Sequence, residues 1–180
     1  MNKILKLTLV LFLVCAIAAG ALGVINELTY RRIDAQQQAK TVEAFSAVMK
    51  ADGYEEVGFD SAAFPTVNSV NHATNDAGYV VTSTFSGAQG NITLAVGVDN
   101  DYKCTGISVI EHSETSGLGA NAASTGEVGV KFRAQFVGED ENIALSKSGG
   151  SIDALTGATI TSRAITGAVA ESIRVVKSLG

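Results

Sequence analysis

The 180-residue chain has no tryptophan, a single proline (Pro65) and only two cysteines, and its aromatic content is 6%. Cys15 and Cys104 cannot build a disulfide framework, so any folded domain here is held by its own core. Positive charge is also scarce: 13 basic residues stand against 18 acidic ones, a net charge of −5. Setting aside Lys3 and Lys6 in the apolar N-terminal region leaves eleven against 18, a balance of −7. A chain so acidic lacks the basic patches that nucleic acid or an anionic lipid surface requires. The two histidines, His72 and His112, have no neighbours at metal-ligand spacing and read as surface or partner-contact residues.

Long apolar runs are not scarce. Leu7 to Ile25 carries no charge, and Thr8 is its one clearly polar residue. Nineteen helical residues at about 1.5 Å each span a hydrocarbon core of about 30 Å. A cleaved signal peptide is the rival, with Ala16-Ile17-Ala18 as its processing site. The apolar run continues through Ala21, Leu22, Val24 and Ile25, beyond that cut, and this favours a retained anchor. Cys15 would suit a lipoprotein, but Val14 before it is a poor fit. Lys3, Lys6 and the amino terminus outweigh Arg31 and Arg32 by a small margin, which favours an inside N-terminus with the remainder outside.

No glycine or proline interrupts Leu28 to Asp52. Val42, Phe45 and Met49 recur on one helical face, so a stalk helix is expected to pack its last turns on the domain and to stop at Gly53. Residues 58–77 look irregular. Three strand-like runs follow: Gly78 to Ser86, Asn91 to Asp99 and Lys103 to Glu111. The first two are joined by Gly87-Ala88-Gln89-Gly90, a hairpin signal. Val128 to Val137 suits a short helix, and Ile143 to Lys147 a strand. Ile165, Val169, Ile173 and Val176 share one face of a closing helix over Thr161 to Leu179. The expected fold is α+β: a transmembrane helix (1–28), a stalk helix (29–53) and one domain (54–180) with an antiparallel sheet packed by helices.

Three short patterns invite chemistry. Asn91-Ile92-Thr93 fits a glycosylation acceptor but lies inside a strand-like run. Gly117-Leu118-Gly119-Ala120-Asn121-Ala122 matches a loose dinucleotide pattern, yet no parallel βαβ unit surrounds it. The stretch from Asp153 to Arg163, DALTGATITSR, crowds hydroxyls at a helix start, where Thr159, Thr161 or Ser162 would serve as a cap. The free N–H groups and dipole of such a terminus equally favour an anion, phosphate above all.

Asp153-Ala154-Leu155-Thr156-Gly157-Ala158-Thr159 resembles the D-x-x-[ST]-G-A-T flavinylation motif of FMN-binding domains. These domains occur in the G subunit of Rnf complexes and the C subunit of sodium-pumping quinone reductases. Glu114-Thr115-Ser116-Gly117-Leu118-Gly119 resembles the E-T-P-G-L-G loop of the same family, with Ser116 in place of proline. The segment after Gly119 lacks the charged pair and tryptophan expected there. The order of the two motifs behind one apolar helix extends the resemblance over essentially the whole chain, and the short length suits the Rnf subunit better.

The resemblance implies FMN joined by a flavin transferase through a phosphoester to Thr159. Thr156, Gly157, Ala158, Ile160 and Ser162 would surround the phosphate, with N–H groups near Ala158, Ile160 and Thr161 facing its charge. Glu114, Thr115, Gly117, Leu118 and Gly119 would lie along the flavin, with Lys131 at its pyrimidine side. It also implies a redox subunit that relays electrons between iron–sulfur and flavin centres of membrane and peripheral partners, in a complex coupling ferredoxin and NAD to ion movement. The domain would lie on the extracytoplasmic side of the cell membrane. Two alternatives remain: an anchored binding or scaffold module of this fold without flavin, and a stand-alone flavin reductase. Fluorescence on a denaturing gel separates the first alternative, and turnover by the isolated domain the second.

Overall fold

A computed structural model describes residues 3–180, without the side chains of Leu28, Arg31, Arg32, Asp34 and Ala35. Of the charges weighed for orientation, the amino terminus and the Arg31 and Arg32 side chains lie outside the described part, while Lys3 and Lys6 lie within it. By internal contacts the chain separates into residues 1–39 and residues 40–180. The first unit belongs to helix α1 (Lys3–Val48), in which Lys3–Glu27 is long and apolar enough to cross a membrane. Its leucines, valines and isoleucines are exposed, as expected of side chains that need an apolar solvent.

The second unit is built on one antiparallel sheet. Strands β1 (Tyr54–Val57), β2 (Val67–Ala73), β3 (Tyr79–Ser86), β4 (Asn91–Val98) and β5 (Cys104–His112) pair in chain order. Alternation along the strands gives the sheet two apolar faces. Val70, Val81, Leu94, Val96 and Val98 point to one side, into the main core. Val80, Ala73 and Ala95 point to the other. Helix α3 (Thr159–Lys177) covers the first face with Ile165, Val169, Ile173 and Val176, all essentially inaccessible. The short helix α2 (Glu127–Ala134) adds Phe132 to the same core, and Phe136 beyond its end stacks edge-on against that ring.

The last turns of α1 cover the second face, with a correction to the expected stripe. Ala44, Phe45, Val48 and Met49 are buried, whereas Val42 is 63% exposed. The covering face is thus one step of the helix away from the Val42 line. The helix also ends at Val48, five residues before Gly53. The Val48 carbonyl accepts the Thr105 hydroxyl at 2.6 Å, which ties the helix end to β5.

Two further expectations fail. Residues 58–77 are not irregular throughout: they contain β2, and β1 precedes them. Ile143 to Lys147 is not a strand. Ile143 and Leu145 are buried in a loop, where Leu145 makes one isolated bridge to Ile152 and a 3₁₀ turn follows at Ser146–Ser148. Their alternation reflects two anchors on the core rather than a ladder.

Cys104, buried on β5, has its thiol pushed up to about 12 by burial, with Asp99 and Glu139 adding to the rise against a hydrogen bond to Gly106. Thiolate is the reactive form. Iodoacetamide at pH 8 is therefore expected to leave Cys104 unmodified in the folded chain and to label it only after denaturation, as read by peptide mass.

Candidate functional site

The turn before α3 is organised by Ser162. Its buried hydroxyl accepts the Leu155 N–H at 2.9 Å and donates to the Ala158 carbonyl at 2.9 Å. The Ala158 N–H in turn bonds the Leu155 carbonyl at 3.0 Å. Gly157 turns the chain at φ +72°, a left-handed conformation that favours glycine. Gln135 holds the outer side: its Oε1 accepts the Asp153 N–H at 2.7 Å, and its Nε2 donates to the Asp153 carbonyl at 3.3 Å.

This arrangement corrects the capping expectation. Ala158 occupies the cap position, and no side chain caps the helix. Ser162 is occupied inside the turn, and Thr161 is engaged elsewhere. The first helical hydrogen bond runs from the Ser162 N–H to the Ala158 carbonyl. Among the described residues, the N–H groups of Thr159, Ile160 and Thr161 have no acceptor, and neither does the Thr159 hydroxyl. Three converging N–H donors with a helix dipole behind them are a seat for an anion.

The opposite wall comes from the Glu114–Gly119 loop. Glu114 is 8% exposed, and its carboxylate is fully used. Oε1 accepts the N–H groups of Ala88 (2.8 Å) and Gln89 (3.0 Å) in the β3–β4 hairpin turn. Oε2 accepts the Thr161 hydroxyl at 2.5 Å. Burial would raise its pKa, but these three donors and the nearby His112 outweigh it and hold the carboxyl below its ordinary value. One side chain thus joins the hairpin turn, the loop and the start of α3. Glycine is required at 119 because an added Cβ would strike Glu114 and lie 2.7 Å from the Thr161 hydroxyl. The Thr115 carbonyl accepts the N–H groups of Leu118 and Ala120, both at 3.2 Å, which folds the loop back and presents Leu118, 43% exposed.

Between these walls lies an open cavity of about 300 Å³. Ala88, Gln89, Glu114, Thr115, Leu118, Gly119 and residues Gly157 to Thr161 line it. A larger cavity of about 490 Å³ lies along β5, away from both motif loops. The smaller one holds the free N–H groups and the free Thr159 hydroxyl, and is therefore the chemically competent one. Of the residues expected from sequence, the structure brings Glu114, Thr115, Leu118, Gly119, Gly157, Ala158, Thr159 and Ile160 together here. Gly117, with φ +79°, and Thr156 are exposed and do not line the cavity. Ser162 is buried behind it. Lys131 is exposed on α2, paired with Glu127 at 2.6 Å, and does not reach it. Ala88, Gln89 and Thr161 as a Glu114 partner escaped the sequence reading. Thr161 lies 47 residues from Glu114, and the only trace of the hairpin turn was its Gly87–Gly90 frame.

Comparison with known proteins bears on this geometry. Residues 87–174 match the FMN-binding domain, which spans both cavity walls, and residues 1–48 match the RnfG N-terminal region. The chain is 32% identical to the G subunit of the ion-translocating oxidoreductase complex of Methanosarcina acetivorans, over 98% of this chain and 96% of that protein. The chain belongs to the G-subunit family of Rnf complexes. It is likewise 31% identical to the G subunit of the Na⁺-translocating ferredoxin:NAD⁺ oxidoreductase complex of Acetobacterium woodii, over 98% of this chain and 93% of that protein. The proton-translocating counterpart of Clostridium ljungdahlii is 40% identical over 54% of this chain and 52% of its own length. This chain carries an FMN-binding domain, and the N–H groups without an acceptor in the cavity are the kind of donors that the phosphate of FMN needs.

Proposed function

We propose that this chain is the membrane-anchored redox subunit of an ion-translocating ferredoxin:NAD oxidoreductase complex, carrying FMN esterified to Thr159. The observation that carries the reading is the free Thr159 hydroxyl beside three N–H groups with no acceptor, on the floor of a cavity walled by the Thr115–Gly119 loop. When bound, FMN supplies the capacity to take up and pass on electrons. The residues of the chain do the rest. Thr159, Ile160 and Thr161 N–H groups hold the phosphate, and charge-assisted hydrogen bonds of this kind are about twice as strong as neutral ones. Leu118 and Ile160, both exposed, give apolar contact at the rim. Glu114 is a positioning residue: it holds both walls and touches the cavity with an already compensated charge. Thr156 and Asp153 stand outside on the turn, where a maturing flavin transferase would grip it. The anchor with Lys3 and Lys6 at its start supports an extracytoplasmic domain.

No acid–base pair stands in the cavity, so the isolated chain is expected to turn over no small substrate. The test is a flavin absorbance measurement on the intact membrane complex. Reduced ferredoxin should bleach the flavin of this subunit and NAD⁺ should restore it. A flavin that stays oxidised while the complex transfers electrons contradicts the relay role.

A further inference from the structure

The larger cavity has no part in the flavin site, and its chemistry is of another kind. It is a groove of about 490 Å³ along the outer edge of β5, walled by Lys40, Glu43, Ala44 and Ala47 of α1 on one side and by Thr125 and Arg133 on the other. We propose that this groove seats an acidic, extended segment of another subunit, which adds a strand to β5.

Two observations carry this. The first is the strand edge. β5 is the last strand of the sheet and pairs only with β4. At its start the edge is closed, because Cys104 exchanges hydrogen bonds with Gly138 (2.7 Å) and Glu139 (2.9 Å). From Ile107 to Ile110, among the described residues, no backbone group on that edge has a partner outside the sheet. Such an edge is a template for another strand. At about 3.3 Å per residue, four residues present a seat about 13 Å long. Only a polypeptide offers donors and acceptors at that alternating spacing; a lipid headgroup or a free anion would meet the N–H groups alone.

The second observation is charge. Lys103, Lys131 and Lys177 of this acidic domain are paired with carboxylates. Lys40 and Arg133, like Lys50, Lys147, Arg163 and Arg174, have no ion pair among the described residues, and of these unpaired cations they are the two that line the groove. Arg133 is half-buried and oriented: Nη1 donates to the carbonyls of Ala122 (2.6 Å) and Ser124 (2.9 Å). That leaves its Nε and Nη2 hydrogens for an incoming carboxylate. Glu43 lines the same groove, so its two cations outnumber one anion.

The inference rests on membership of a multi-subunit complex, not on the flavin. The test compares hydrogen exchange of those amides of Ile107–Ile110 that face away from β4, in the assembled complex and in the full-length chain alone in detergent. At least tenfold slower exchange is expected in the complex. Lys40→Glu, at an exposed helix position where folding is not at stake, should return the rate to that of the free chain while flavin attachment, read in the same sample, is unchanged. Photocrosslinking from p-benzoylphenylalanine at Thr125 should map to an acidic extended stretch of a different subunit. Equal exchange in the two states overturns the proposal. So does slowing of the free chain by phosphatidylglycerol vesicles to the same extent, or a crosslink to a second copy of this chain.

Discussion

Replacing Thr159 by alanine is expected to abolish covalent flavin while leaving the domain folded. Among the described residues the hydroxyl makes no hydrogen bond, so its loss breaks nothing in the α3 turn. That turn is fastened instead by Ser162 and by the Ala158–Leu155 bond. Alanine is also the better helix former, and the change in stability should stay within about 0.5 kcal/mol. On a denaturing gel the wild-type band should fluoresce and the T159A band should be dark, with no residual partial labelling. Thr159→Ser keeps a hydroxyl at the same position and should retain fluorescence. Ser162→Ala is the informative contrast. It leaves the acceptor hydroxyl in place but frees the Leu155 N–H inside a buried turn, so it should cost about 1–3 kcal/mol in urea unfolding. Its loss of flavin should follow from misfolding of the turn rather than from missing chemistry.

The second large effect belongs to Glu114. Its carboxylate holds three donors from two segments, the hairpin turn and the start of α3. Alanine would leave two backbone N–H groups and one hydroxyl without their acceptor and would open both walls of the cavity beside Thr159. Hydrogen bonds to a charged group contribute about 1.5–3 kcal/mol each, and the set is not additive, so a loss of about 3–5 kcal/mol is expected by denaturant unfolding. Glutamine keeps the shape and one acceptor oxygen, and should recover more than half of that. The same contacts set a pH dependence. The folded pKa of Glu114 lies below its unfolded value. The corresponding stability is therefore present above the unfolded pKa of about 4.3 and is lost as pH falls through the folded value. E114Q should flatten the acid limb of the stability curve. A wild-type and E114Q pair with parallel acid limbs would show that the carboxylate is not held as described.

How much of this was legible in the residues can be judged element by element. Helix α3 was, because Ile165, Val169, Ile173 and Val176 repeat at helical spacing, though its first turn begins at Thr159 rather than Thr161. Strands β3 to β5 were, because β-branched runs between turn residues leave few alternatives. β1 and β2 were not: Glu55 and Glu56 are exposed on an edge strand, and Asn68, Ser69, Asn71 and His72 interrupt the apolar pattern of β2. Strand pairing there is decided by tertiary neighbours rather than by propensity. The covering face of α1 was legible at Phe45 and Met49 but not at Val42, since Val42 and Val48 look alike in a window while only contact with the sheet chooses between them. At the site, composition and spacing pointed to an anion at the α3 start, where the structure leaves three N–H groups without an acceptor, and the family resemblance supplied the FMN-binding domain; the tether at Thr159 is the proposal. The Glu114–Thr161 hydrogen bond could not be read, because it joins distant segments that only the folded sheet brings together.

The FMN ester proposed at Thr159 is open to direct chemical detection. Intact-mass analysis of the full chain, purified from cells that make a flavin transferase and followed by peptide mapping, tests it most directly. A gain of one FMN less one water is expected, located on the Thr159 hydroxyl and absent from T159A. An unmodified chain from such cells, or the same mass gain mapped to Thr156 or Thr161, would contradict it.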